Sequence, residues 1–341
     1  MHRKEWLIYI VLITGFIACN KDDIDRFTGF ENPSNFPPAA YHFNTNEVTK
    51  SGFELGRKLF YDPVLSSNNM ISCGSCHIPT SAFTHHGHSL SHGIFDRLGT
   101  RNSPPIMNLA WNTSFMWDGG VFDLDLQPIA PITNHVEMGE SVANVLEKLR
   151  NNPVYPALFK KAFNSEEITT SVFLKALSQF MVMCISSNAK YDQVMRKEAD
   201  FTADEQSGYA IFKEKCSSCH KEPLFTDYSF RNNGLSISMA DDKGRYLVTL
   251  KDTDVYKFKV PSLRNLDYTP PYMHDGLLLT LNAVLDHYTE KVQRTPNLDP
   301  LLQLNNSPGI ALTPDEKLKI LTFLQTLNDP SFVTDRRFAE Q

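Results

Sequence analysis

Apolar positions recur at helical spacing in four stretches of this chain. The first runs from Asn46 through Val48, Phe53, Leu55, Leu59 and Phe60, and ends near Asp62-Pro63, where proline cannot continue the hydrogen-bond ladder. The second covers residues 171–184 and carries Val172, Phe173, Leu174, Ala176, Leu177, Phe180 and Met181. The third opens at Thr202-Ala203-Asp204-Glu205 and continues through Tyr209, Ile211 and Phe212. The fourth opens at Thr313-Pro314-Asp315-Glu316 and carries Leu318, Ile320, Leu321, Phe323, Leu324 and Leu327. Both openings are capping boxes, in which a threonine hydroxyl and a glutamate carboxylate take up amides left free at a helix start. Proline at the first helical position of the fourth adds to the signal. No long alternating strand pattern appears, and residues 255–260 predict one short strand. The pattern thus predicts a mainly α chain with long irregular loops, which need an organising centre.

The N-terminus has its own pattern. His2, Arg3 and Lys4 precede an almost wholly apolar run over residues 6–18. That run is shorter than the ~20 apolar residues of a membrane span and has the shape of a secretory signal. It stops at Ala18-Cys19, which resembles a bacterial lipoprotein signal in which the cysteine is lipidated, although Phe16 stands where that pattern prefers leucine. Asn20-Lys21-Asp22-Asp23 resembles a surface-export signal of some Bacteroidetes lipoproteins. A cleaved signal without lipid and an uncleaved anchor are the alternatives. The reading is an exported lipoprotein of a Gram-negative bacterium, facing the periplasm or the cell surface, with residues 1–19 as signal peptide. Residues 20–45 are polar and proline-bearing and read as a tether.

Composition narrows the classes. A chain of 341 residues suggests about two domains. An apolar share of 41% excludes a disordered chain, and a net charge of -6 argues against nucleic-acid binding, which needs a basic surface. The 6 cysteines are too few for a disulfide scaffold. Four of them form Cys73-Gly74-Ser75-Cys76-His77 and Cys216-Ser217-Ser218-Cys219-His220, each after a predicted helix. Cys-x-x-Cys-His attaches c-type haem: the thiols bond to the porphyrin and the histidine lies under the iron. Two local disulfides or a zinc site are the alternatives, but zinc has no need of a histidine after each pair. The repeat predicts two cytochrome c-like haem domains, residues 46–200 and 201–341. Each iron keeps one further axial position, whose occupant decides between electron transfer and small-molecule chemistry. Cys184 is left over and reads as a buried small residue on a helix.

Over roughly residues 46–330 the sequence resembles the bacterial di-haem cytochrome c peroxidase family, which includes the MauG-type enzymes. Besides the haem motifs, the resemblance rests on Arg101-Asn102-Ser103-Pro104, Phe115-Met116-Trp117-Asp118-Gly119 and Gln127. It rests also on Val136-Glu137-Met138-Gly139, Pro261-Ser262-Leu263-Arg264-Asn265 and Pro271-Tyr272-Met273-His274-Asp275-Gly276. It implies a peroxide-reacting haem on Cys73, Cys76 and His77, and an electron-relaying haem on Cys216, Cys219 and His220. Gln127 and Glu137 would line the peroxide pocket, where a carboxylate can move a proton from the near oxygen to the far one. Trp117 would bridge electrons between the haems. A calcium ion between them would take Asn102 and backbone carbonyls near Thr269 and Pro271, oxygen donors that suit a hard cation.

The distal ligands depart from the common pattern. His92 is the candidate on the first iron, with His85, His86 and His88 as nearby competitors in a loop about two residues longer than usual. On the second iron Tyr288 stands where peroxidases place methionine and MauG-type enzymes place tyrosine, with Met273 and His287 as alternatives. A phenolate there stabilises ferric iron and lowers the potential. The leading expectation is a peroxidase that reduces hydrogen peroxide to water with electrons from an external donor, a small cytochrome, a cupredoxin or a quinol-linked protein. A MauG-type oxidase acting on a protein or organic partner is the second expectation, and a non-enzymatic di-haem electron carrier the third. The membrane is a partner through lipid on Cys19, and the resemblance allows a homodimer.

Overall fold

The computed structural model describes residues 27–237, 240–303 and 307–341. The apolar N-terminal run, Cys19 and the start of the expected tether lie outside them. Among the described residues no helix is long and apolar enough to cross a membrane.

The chain is helix-rich with little strand. The principal helices are α1 (Lys50–Tyr61), α2 (Val142–Asn151), α3 (Tyr155–Phe163), α4 (Thr170–Val182), α5 (Ala203–Lys215), α6 (Leu281–Asp286) and α7 (Pro314–Gln325). The two expected capping boxes close as predicted, Thr202 with Glu205 on α5 and Thr313 with Glu316 on α7. α1 starts later than its apolar pattern suggests, because Thr49 caps it by accepting from Gly52 N. Asn46 is instead buried in a bond with Gln179 of α4. The expected strand over 255–260 shrinks to β2 (Phe258–Lys259), paired antiparallel with β1 (Phe230–Arg231) so that Phe230 faces Lys259.

Two helix pairs organise the packing, and each closes over a glycine. A Cβ on Gly56 of α1 would stand 1.9 Å from the Ala176 carbonyl oxygen on α4. A Cβ on Gly208 of α5 would stand 2.0 Å from the Lys319 carbonyl oxygen on α7. The larger apolar cluster surrounds α1 and α4 with Phe53, Phe60, Phe83 and Phe180; the smaller surrounds α5 and α7 with Tyr191, Phe212, Phe225 and Phe323.

Two boundaries differ from the expected division. From Phe27 onward the stretch read as a tether is packed: Phe36 is buried, Phe30 and Phe43 rings lie 4.1 Å apart, and Trp111 Nε1 donates to Pro37 O at 2.7 Å. Average polarity concealed five aromatics, Phe27, Phe30, Phe36, Tyr41 and Phe43, that dock on the first cluster. At the other end the chain leaves α7 and returns to that same cluster. Phe332, Val333 and Phe338 are buried there, Tyr61 OH donates to Phe338 O at 2.6 Å, and Arg57 Nη1 donates to Arg337 O at 2.8 Å.

Candidate active site

Each Cys-x-x-Cys-His segment lines a cavity. Cys73, Cys76 and His77 lie on one of about 410 Å³, and Cys216, Cys219 and His220 on one of about 620 Å³. His77 Nδ1 lies 2.7 Å from Phe83 O and His220 Nδ1 lies 3.1 Å from Phe225 O. A carbonyl can only accept, so the His77 Nδ1 carries the proton and its Nε2 keeps its lone pair, the tautomer a metal ligand needs, while His220 has a second backbone partner at Pro261. Burial lowers the pKa of both imidazoles and keeps them neutral. It also pushes the Cys73 thiol up to about 12 and the Cys76 thiol to about 11, and raises those of Cys216 and Cys219. Paired thiols beside a neutral imidazole, on cavities with apolar walls, fit the donor set of a covalently held haem.

The first cavity gathers residues far apart in sequence: His92, Trp117, Gln127 and Glu137 all line it. Glu137 Oε1 accepts from Asn134 Nδ2 at 2.7 Å. Burial raises the Glu137 pKa, and the Asn134 bond offsets part of that rise. Gln127 Nε2 points at the Met116 sulfur, 3.8 Å away. His92 Nδ1 lies 3.0 Å from Asp96 Oδ1, while the backbone of its loop is tied to the glutamate's loop by Ile94 N donating to Glu137 O at 2.7 Å. His85 and His88 stack at 4.2 Å and meet His92 edge-on outside the cavity; with His86 they are absent from its lining.

The second cavity is lined by Tyr288, Met273, Asn102, Thr269 and Pro271. Tyr288 belongs to a π-helical turn (His287–Lys291) after α6, a geometry often found at functional sites. Burial pushes its phenol up to about 12, against a hydrogen bond with Asn233. Asn233 Nδ2 also reaches the Met273 sulfur at 3.4 Å. His287 is directed elsewhere, its Nε2 lying 3.1 Å from Asn233 O. The residues expected to hold calcium therefore share one cavity, where Asn102 Nδ2 donates to the carbonyls of His88 and Ser89. No group of three or more His, Cys, Asp or Glu among the described residues is arranged to hold a metal ion.

One wall belongs to both cavities: Asn102, Pro105, Met107, Trp117 and residues 259–262. Trp117 is clamped in it. Its Nε1 donates to Asn102 O and its carbonyl accepts from Lys259 N, both at 2.8 Å. Next to it Asp118 accepts from Arg101 at 2.6 Å, and Arg101 also forks onto Asp242 at 2.6 and 2.9 Å. Sequence reasoning missed Asn134, Asp96 and Lys259. The first two are short polar residues in turns, and Lys259 sits in what reads as a plain strand.

Comparison with known proteins follows the same lines. A family model described as di-haem cytochrome c peroxidase matches residues 50–200. Methylamine utilization protein MauG of Methylorubrum extorquens is 35% identical over 316 residues, 89% of this chain and 85% of the relative. Cytochrome c551 peroxidase of Nitrosomonas europaea is 34% identical over 82% of this chain and 81% of the relative. A crystal structure of a MauG-like protein associated with microbial copper homeostasis superposes with a TM-score of 0.83 at 31% identity, covering 91% of this chain and 98% of that one.

Proposed function

The chain belongs to the di-haem cytochrome c peroxidase family, and from that premise we propose that it reduces hydrogen peroxide to water in the cavity that His77 lines. The observation that carries this reading is the meeting of Glu137 and Gln127 with His77 on one cavity, with Trp117 in the wall shared with the other. Cys73, Cys76 and His77 would hold one haem and Cys216, Cys219 and His220 the other, supplying the iron and the stored electrons.

The chain's own residues then divide the work. Peroxide reduction takes up two electrons and two protons and releases two waters. Glu137 takes the proton of the near oxygen and returns it to the far one, and its burial brings the carboxyl closer to neutral pH, where such transfer is efficient. Gln127 orients the peroxide. Trp117, held rigidly by its two hydrogen bonds, passes electrons across the wall. An external donor, a small cytochrome, a cupredoxin or a quinol-linked protein, supplies them. The basic and apolar start ending at Cys19 supports an exported, lipid-anchored protein. In the haem-loaded protein, Glu137→Gln is expected to lower peroxide turnover roughly 10²–10⁴-fold with both haem spectra intact. Turnover within twofold of the parent would overturn the assignment.

Tyr288 supports a second reading. It lines the second cavity, and MauG is among the relatives. On this reading the same peroxide chemistry oxidises a protein or organic partner at a distance. Tyr288→Met is then expected to raise the potential of the second haem and change its resting spectrum. An unchanged spectrum removes the ligand argument.

A further inference from the structure

Lys259 occupies an unusual place. It lies on β2, in the wall that both cavities share, directly bonded through its backbone to Trp117. Its ammonium donates to Ser114 O at 2.7 Å and stands 6.0 Å from the Phe115 ring. An ammonium has three hydrogens to place. Among the described residues no carboxylate comes within ion-pair distance of it: Asp118, whose charge acts on it, is engaged by Arg101 at 2.6 Å. Burial accordingly pulls the Lys259 pKa down to about 8, with Asp118 offsetting part of the drop.

A half-buried cation in a wall between two largely apolar cavities, with one neutral partner, is costly unless an anion completes its shell. The wall offers that anion only from the cavity side. We propose that Lys259 is the counter-charge of a haem carboxylate: its ammonium pairs with a propionate of a haem seated against the shared wall and holds that haem's reduction potential up. This rests on the di-haem reading given above. A fixed positive charge favours the reduced iron, which carries one positive charge fewer, so its loss favours the oxidised state. The residue acts by position and not by contact with peroxide.

The test is a spectroelectrochemical titration of the full haem-loaded chain, comparing Lys259→Gln and Lys259→Arg with the parent. Lys259→Gln is expected to lower the reduction equilibrium of one haem about tenfold, ~59 mV for a one-electron couple. Lys259→Arg, which keeps the charge, should stay within twofold. Two attached haems with both potentials unmoved in Lys259→Gln would overturn the inference while leaving the di-haem reading intact. A preparation with no covalently attached haem would refute both. If Lys259→Gln does not accumulate with both haems, resonance Raman spectra of the parent and Lys259→Arg replace it. The propionate bending band of one haem should differ between the two, and identical bands would overturn the inference.

Discussion

The strongest structural prediction concerns Arg264 and Asp192. Both side chains are 0% exposed and form a two-pronged pair at 2.8 and 2.7 Å. The guanidinium also donates to Pro223 O at 3.0 and 2.7 Å and lies 4.7 Å from the Phe36 ring. It thus joins the N-terminal stretch, the segment after His220 and the shared wall, whose residues 261 and 262 lie just before it. Arg264→Met keeps the length and most of the packing but leaves Asp192, among the described residues, with only Asn35 Nδ2 and Ala189 N as donors. Breaking one side of such a buried pair costs about 3–5 kcal/mol, two to three and a half powers of ten in the folding equilibrium. Replacing both sides removes the stranded charge, so Arg264→Met with Asp192→Leu should recover most of that loss. Denaturant titration of the haem-loaded protein, followed by far-ultraviolet circular dichroism and by haem absorbance, measures each variant. A single-variant cost below about 1 kcal/mol, or a double variant no more stable than Arg264→Met, would refute the argument.

Gly56→Ala and Gly208→Ala force a methyl group against a carbonyl oxygen across each helix pair, so each should destabilise by about 1–3 kcal/mol despite alanine's better helix propensity; unfolding midpoints at or above the parent's would show that the pairs can separate freely. Asn134→Ala removes a hydrogen bond that stabilises the Glu137 carboxylate, so its pKa rises further. If Glu137 works as the proposed base, activity is lost as pH falls through that pKa, and the acid limb of kcat/KM should move to higher pH; an unmoved limb would place the working base elsewhere. Trp117→Phe keeps an aromatic ring but loses the bond to Asn102 O, so electron transfer between the sites should slow in stopped-flow while peroxide binding is retained; unchanged transfer would remove the bridging role.

Local signals were legible in the sequence. Thr202 and Thr313 announce their helices because a capping box needs only four consecutive residues. The cysteine and histidine of each haem segment are legible for the same reason. The gathering of Glu137 and Gln127 with His77 is different. About fifty to sixty residues of turns separate them, and no periodicity encodes that closure, so resemblance alone pointed to it. The packed stretch after Phe27 was missed because its aromatics follow no helix or strand period and are held by turns. Gly56 and Gly208 were invisible as contacts, since a helix glycine gives no sign of the partner it allows to approach.

Lys259 shows why the remainder was hidden. In a strand read alone, a lysine between Phe258 and Val260 is the polar half of an alternation and belongs in solvent. Here the strand is two residues long, both are half-buried, and Lys259 lines both cavities. The alternation rule fails because it presumes one face to solvent, whereas Lys259 lines two cavities. A charge stranded at such a place is stable only if the missing partner arrives with the cofactor. On the proposed reading the Lys259 ammonium, bonded to Ser114 O, is where a haem carboxylate would pair, as the two histidines whose Nδ1 faces a carbonyl are where iron would be held.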